Sequence, residues 1–483
     1  MSKKIILFIC LYSCAPILFA QITTGTTKRS RTPFNRKETI VIDGEALGIN
    51  YSTTQTIAIE PTRTSPWWAG FEKAYNNSDT MEALLRRAAL SAKCKIDAAD
   101  LMSYYKARKY KTFLNLLEKN IIEESEAGGG KKGEALSDLY ACAGLLFMDN
   151  LYFSRAEDWF KKSLKADENN KMALLFQSEN FAQEGRFDLA LANIRPLLVS
   201  PYFPVRLSAL LSRIEQHQNQ ISNAIYQWKR VLERIEPSPH ETFRLKFLES
   251  ELYIQRHFLT YSTARYEVRY DPIFEDTKET VISPLLAMVD EVRESLDKRL
   301  NAIPANKIMI LVYSEETFNS LLGGAFRRIE GFFSFEDAKI RLAVKSRSLQ
   351  DVRFLKSTIC HEYVHFLIHY ISQGRLRIRW LHEGIASYFE KAETGFDPFA
   401  DIDQAATRVP VDLSALLQHE ITDFGYYQSR LVIEYLVNRR GERQIVEFLK
   451  SMGEGDSFED ALYDCFGLTL DEFVRAAGEG NLK

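Results

Sequence analysis

The sequence predicts a helical repeat array followed by an α+β domain, and three observations carry that reading. From Trp67 to about residue 255 apolar residues recur with helical spacing. Within that stretch Ala156, Ala190 and Ala224 stand 34 residues apart and each opens a similar phrase, the fixed period of stacked helical hairpins. Beyond residue 260, short β-branched runs alternate with amphipathic stretches, and four of the eight histidines crowd into residues 361–382.

Length and composition set the frame. A chain of 483 residues divides into about three units at ~150 residues each. Apolar residues make up 46% and charged residues 26%, a globular balance that excludes a largely disordered chain. Lys plus Arg is 62 against 65 for Asp plus Glu. That near-neutral balance argues against a dedicated nucleic-acid binder, which needs a surplus of cations for phosphate contacts.

Residues 1–20 read as a signal peptide. Met1-Ser2-Lys3-Lys4 is basic, Ile5 to Ala20 is mainly apolar, and Ala20 is a small residue just before polar Gln21. The apolar run is short for a membrane span and Pro16 interrupts it. The expected location is therefore periplasmic or extracellular, with no stable membrane span in the mature chain. Residues 21–65 form a basic leader, with a possible short hairpin from Thr39–Ile42 and Thr56–Ile59 around Asp43-Gly44. Cys94, Cys142, Cys360 and Cys465 are too scattered for a disulfide framework.

The helical region is expected over residues 66–255, with 123–134 interrupting it as a flexible loop. Ala156-Glu-Asp-Trp159-Phe160, Ala190-Leu-Ala-Asn-Ile194 and Ala224-Ile-Tyr-Gln-Trp228 are the recurring phrases. Gly144 and Phe147 precede the first, where one helix must approach its partner and then fill a groove. The pattern resembles the tetratricopeptide repeat over roughly residues 137–236. Ser178 and Ser212 replace the glycine equivalent to Gly144, and the closing proline occurs only as Pro237. The resemblance implies a concave surface for a protein or peptide partner. Bracing of the C-terminal domain is the other reading.

The chemistry lies in residues 260–483. Tyr266–Tyr270 reads as an opening strand, Leu285, Val289, Val292, Leu296 and Leu300 as one face of a helix, and Lys307–Tyr313 as a buried strand. Lys339–Val344 alternates as an edge strand does. Next comes a long helix carrying His361-Glu362-Tyr363-Val364-His365 and ending near Gly374. Positions i and i+4 share a helix face, so His361 and His365 can bind one metal ion, with Glu362 beside them as a general base. A catalytic zinc needs a third protein ligand. His369, His382 and Glu383 are candidates. The pattern with a third histidine six residues after His365 is excluded, because that position is Ile371.

Trp380-Leu-His-Glu383-Gly-Ile-Ala-Ser-Tyr-Phe-Glu390 reads as a second helix. The pairing of a two-histidine helix with a following glutamate helix resembles the gluzincin metallopeptidases, and this phrase resembles the peptidase MA-like branch. The resemblance covers about residues 260–480. It implies one Zn2+ per chain held by His361, His365 and Glu383, Glu362 as catalytic base, and a peptide or protein substrate that pairs with the edge strand. In the segment Tyr426-Tyr427-Gln428-Ser429 it implies a phenol for the oxyanion, with Tyr426 preferred over Tyr427. Ser387 is a candidate to orient a ligand histidine. Arg375, Arg377 and Arg379 read as a solvated turn or a contact for acidic substrate groups. Thr469 and Glu472 form a capping box. The rival reading is a peptidase-like fold without catalysis that acts through its repeats. A hydrolase of non-peptide substrates is a third.

Overall fold

A computed structural model describes residues 76–478 apart from 128–132, 151, 199–203, 306, 323–329, 346–350, 377 and 401–422. Residues 1–20 and 21–65, where a signal peptide and a basic leader with a hairpin are expected, and Arg377 lie outside the described residues, which all belong to one compact unit.

Ten helices come first: α1 Asn77–Ser91, α2 Ala98–Lys106, α3 Tyr110–Ala127, α4 Glu134–Asp149, α5 Phe153–Ala166, α6 Lys171–Gln183, α7 Phe187–Ile194, α8 Val205–His217, α9 Ile221–Leu232 and α10 Pro239–Gln255. Helix α4 packs on α5, α6 on α7, and α8 on α9. Helices α5, α7 and α9 begin at residues 153, 187 and 221, and Ala156, Ala190 and Ala224 are fully buried at the crossings. A side chain at Gly144 would collide with the Phe160 ring, and Phe147 stacks on Trp159 with centroids 6.4 Å apart. Helix α3 continues through residues 123–127, which the sequence assigns to a loop. Glu124 is buried there and accepts the Lys93 and Cys94 amide N–H groups at 2.8 and 3.0 Å, ending the chain segment after α1.

Helix α1 lies across several of the others. Its Arg87 donates to Asp138 of α4 (Nε to Oδ2, 2.6 Å). Near its start, Asn77 Oδ1 and Thr80 Oγ1 accept from Arg206 of α8 at 2.8 and 3.1 Å. Met81, Leu84, Leu85 and Ala88 are fully buried between these polar ends.

The strands are β1 Leu259–Ser262, β2 Tyr266–Tyr270, β3 Ile308–Ser314, β4 Gly331–Ser334 and β5 Lys339–Val344, forming one mixed sheet in the order β1-β2-β3-β5-β4. The pairs β2–β3 and β3–β5 are parallel, and β1–β2 and β4–β5 are antiparallel. Helix α11 (Ser283–Arg299) connects β2 to β3 and buries Leu285, Val289, Val292 and Leu296. Helix α12 (Glu315–Leu322) follows β3.

One expectation is corrected here. Lys339–Val344 is an interior strand, and the edge is β4. Lys339 and Arg341, whose alternation suggests a solvent face, are buried against the helical half. Lys339 Nζ donates to the Gln216 carbonyl and Asn219 Oδ1 at 2.7 and 2.8 Å. Arg341 reaches Glu251 and Asp337, each at 2.6 Å. Paired charges occupy the place of an apolar face, because a buried ion needs partners.

The remaining helices are α13 Val352–Ile371, α14 Arg379–Thr394, α15 Asp423–Arg440, α16 Glu442–Glu454, α17 Phe458–Phe466 and α18 Leu470–Gly478. Helix α13 packs on β4, β5, α11 and α14. The Thr469–Glu472 capping box is formed, with Thr469 N to Glu472 Oε2 at 2.9 Å and Glu472 N to Thr469 Oγ1 at 3.3 Å. The four cysteines of the described residues are free thiols. No helix among the described residues is long and apolar enough to cross a membrane.

Candidate metal centre

Helix α13 starts on Asp351, whose side chain accepts the Phe354 amide at 3.2 Å. His361 and His365 follow on one face, and their Nε2 atoms are 3.1 Å apart. Helix α14 brings the third group. Its Gly384 lets α15 approach so closely that an added Cβ would lie 2.5 Å from the Ser429 carbonyl oxygen. That packing seats the neighbouring Glu383 with Oε2 3.5 Å from His361 Nε2 and 3.8 Å from His365 Nε2. Among the described residues, these three are the group able to hold a metal ion, their ligand atoms all lying within 4.8 Å of one another.

The residues fit a metal on two grounds. First, both Glu383 carboxylate oxygens are buried without a hydrogen-bond partner. A buried carboxylate with no donor is costly, and a cation between it and the imidazoles removes that cost. Second, a four-coordinate ion with bonds of about 2.0–2.1 Å sets its ligands about 3.3 Å apart. The observed separations of 3.1, 3.5 and 3.8 Å bracket that value.

The surroundings add charge and orientation. His361 Nδ1 lies 3.0 Å from Glu390 Oε2, and Ser357 Oγ donates to Glu390 Oε1. Burial opposes charge on His361, yet the Glu383 and Glu390 carboxylates outweigh it and hold its pKa well above the ordinary value. Burial, with His361 and His382 nearby, holds His365 well below it. Glu362 is 3% exposed and its Oε2 accepts the Phe333 amide of β4 at 2.7 Å. Burial pushes its carboxyl up to about 7, opposed by His361 and assisted by Glu383. Three carboxylates and two imidazoles thus share one buried volume, a field that favours a divalent cation.

The other sequence-predicted residues fall as follows. His382 lies beside His365, with ring centroids 5.7 Å apart, and its Nε2 is 2.9 Å from the Leu376 carbonyl oxygen. His369 packs against Phe333 and Phe335 at 5.5 and 5.8 Å. Neither joins the cluster of ligand atoms. Ile371 is buried. Ser387 does not orient a histidine, since its Oγ is buried without a hydrogen-bond partner; Glu390, one turn further on, holds His361 instead. Tyr426 is buried on α15, and its hydroxyl oxygen accepts from Arg379 Nη2 at 2.7 Å, one turn before Glu383 on α14. Tyr427 packs against Phe399 and Arg430. Arg375 is no solvated turn residue: its Nε donates to Glu184 Oε1 of the helical half at 2.8 Å, and its Nη1 to the Gly453 carbonyl.

Sequence reasoning missed Glu390, Ser357 and Phe333. Two of them carried a signal. Glu390 stands seven residues after Glu383 and Ser357 four before His361, both helical repeats of a ligand position. Phe333 acts through its backbone, which no residue type announces.

No protein-family model matches the chain, and no curated protein sequence matches it significantly.

Proposed function

We propose that this chain is an exported zinc-dependent metallopeptidase of gluzincin type, with its catalytic domain in residues 260–483 and tetratricopeptide-like repeats before it. The observation that carries the reading is the convergence of His361 Nε2, His365 Nε2 and a donor-free Glu383 carboxylate on one buried point, with Glu362 adjacent. His361, His365 and Glu383 would hold the zinc. When bound, the ion supplies Lewis acidity, polarising a peptide carbonyl and acidifying water beside it.

The rest is the work of the chain. Glu390 fixes the His361 ring through Nδ1 and so presents Nε2 to the ion. The Phe333 N–H occupies Glu362 Oε2, leaving Oε1 to accept the proton of the attacking water and return it to the leaving amine. Glu362, buried and fixed by the Phe333 N–H, is placed to take that proton and give it back. Tyr426, held by Arg379, is the candidate phenol for the oxyanion. The 34-residue spacing of α5, α7 and α9 supports the repeat reading, and the basic start and apolar run of residues 1–20 support export.

The test uses the mature chain, residues 21–483. Elemental analysis after dialysis is expected to give about one zinc per chain, lost in His361→Ala. Glu362→Gln is expected to keep the zinc and lose about 10²–10⁴-fold in peptide turnover. Wild-type turnover in that variant would overturn the mechanism.

A further inference from the structure

Opposite the metal helix, the β4–β5 hairpin is gripped by the helical array. Its turn, residues 335–338, presents three consecutive carbonyls or side chains to α8 and α10. Arg213 donates to the Phe335 carbonyl (Nη2, 3.4 Å) and the Glu336 carbonyl (Nε, 3.3 Å). His217 Nδ1 lies 3.0 Å from the Asp337 carbonyl oxygen, and Gln216 Nε2 reaches Asp337 Oδ2 at 3.4 Å. Arg244 of α10 ties this together, donating to Glu336 Oε2 and to Gln216 Oε1, both at 2.9 Å. Arg213, Gln216, Asp337 and Glu336 are all largely buried.

The other face of the same hairpin forms the wall of the metal centre. The Phe333 N–H sits on Glu362 Oε2 at 2.7 Å. The Phe335 ring packs edge-on against His382 and His369 at 5.0 and 5.8 Å. Strand β4 is four residues long and lies at the sheet edge, with β5 as its one strand neighbour among the described residues. Apart from its packing on α13, an edge strand this short has only the ladder to one neighbour to fix it. The side chains of α8 and α10 supply what the sheet does not.

We propose that Arg213, Gln216 and His217, braced by Arg244, are positioning residues of the metal centre: they hold the β4–β5 hairpin so that the Phe333 N–H aligns the Glu362 carboxylate. The proposal rests on the reading of Glu362 as the proton acceptor. A misplacement of about 1 Å at such a group costs on the order of 10²-fold in rate, so side chains remote from the ligands govern turnover without governing metal binding.

The experiment compares the full mature chain with Arg213→Ala/His217→Ala and with Arg213→Lys. Hydrogen exchange read by mass spectrometry, zinc affinity by competition with a chromophoric chelator, and turnover of a quenched-fluorescent peptide library are measured on each. In the double variant the expected result is exchange at least about tenfold faster in residues 331–337 and unchanged protection of α13. Zinc affinity is expected to stay at the wild-type value, and kcat to fall with KM little changed. Arg213→Lys, which keeps the charge but not the two-pronged contact, is expected to fall between. Wild-type exchange at 331–337 in the double variant overturns the proposal whatever the activity. So does loss of zinc affinity in step with turnover, which marks a general structural role. If the double variant unfolds, Arg213→Lys decides alone: faster hairpin exchange with lowered kcat and wild-type zinc affinity upholds the proposal, and unchanged exchange or unchanged kcat overturns it. A wild-type protein that binds zinc but cleaves no peptide refutes the peptidase reading, while the exchange result still judges the hairpin.

Discussion

At the scale of single residues, the metal centre is a matter of which buried polar atoms have partners. Glu383 has no donor for either oxygen, whereas Glu390 has two: Ser357 on one oxygen and His361 on the other. The first is free to meet a cation and the second is engaged with the His361 ring. Glu390→Gln is therefore expected to weaken zinc binding by about 10–100-fold, measured by competition titration, while Ser387→Ala leaves it unchanged because that hydroxyl touches nothing polar. Equal affinities for Glu390→Gln and the wild type would show that the ring is held some other way. The buried cluster of His361, His365 and Glu383 was legible because metal chemistry needs residue types at fixed helical spacing. The clamp was harder to see, since a glutamate on a helix is ordinarily a solvated residue, and only burial against α13 gives Glu390 its role.

At the scale of elements, close packing of α14 decides whether Glu383 reaches the histidines. Gly384 faces the Ser429 carbonyl and Ile433 of α15, with room for no side chain. Gly384→Ala is expected to cost about 1–3 kcal/mol of stability, measured by urea denaturation, and to weaken zinc binding because Glu383 is carried along. An unchanged midpoint would mean that α14 and α15 separate freely. Helix α8 bears a different kind of strain. Glu215 is 3% exposed, one of its oxygens lacks a partner, and burial alone pushes its pKa up to about 8 from 4.5. Between those values the folded chain keeps the proton that the unfolded chain releases. Its contribution is fully present below about pH 4.5 and is lost as pH rises through 8, a decline on the order of a few kcal/mol. Glu215→Gln is expected to raise the unfolding free energy at pH 8 and change it little at pH 4.5; an identical pH slope in the variant would refute this. Elements were also where the sequence misled. The run Lys339-Ile-Arg-Leu-Ala-Val has the alternation of a half-exposed strand, yet its polar face is covered by Gln216 and Glu251 of two helices and by Asn219 of the turn after α8, all more than eighty residues earlier. Alternation reports that two faces differ. It does not report what covers them.

At the scale of the whole molecule, the array and the sheet share their buried charges. Arg341 is fully buried between Glu251 of α10 and Asp337 of the hairpin turn. Beside it Lys339, also buried, reaches the Gln216 carbonyl of α8 and Asn219. The two carboxylates hold Arg341 charged against burial, and Arg341 with Lys339 holds Asp337 well below the usual carboxylate range despite its own burial. A network of this kind stabilises little beyond a packed apolar interface, but removing one member strands the others. Arg341→Met in the full chain is therefore expected to cost about 3–5 kcal/mol, since Glu251 and Asp337 would keep only the Lys339 charge between them. Residues 256–483 alone lose Glu251, Gln216, Asn219 and the Arg213 grip together, and Arg375 loses Glu184. Meanwhile α1 packs on α4 and reaches α8. Bracing is the role these contacts support. The fragment 256–483 is accordingly expected to unfold without a cooperative transition in urea and to bind less than one zinc per chain, whereas the full mature chain binds one. A fragment that unfolds cooperatively and holds a full equivalent of zinc would show that the sheet and its metal helices stand without the array, and would return the array to the role of a partner-binding arm.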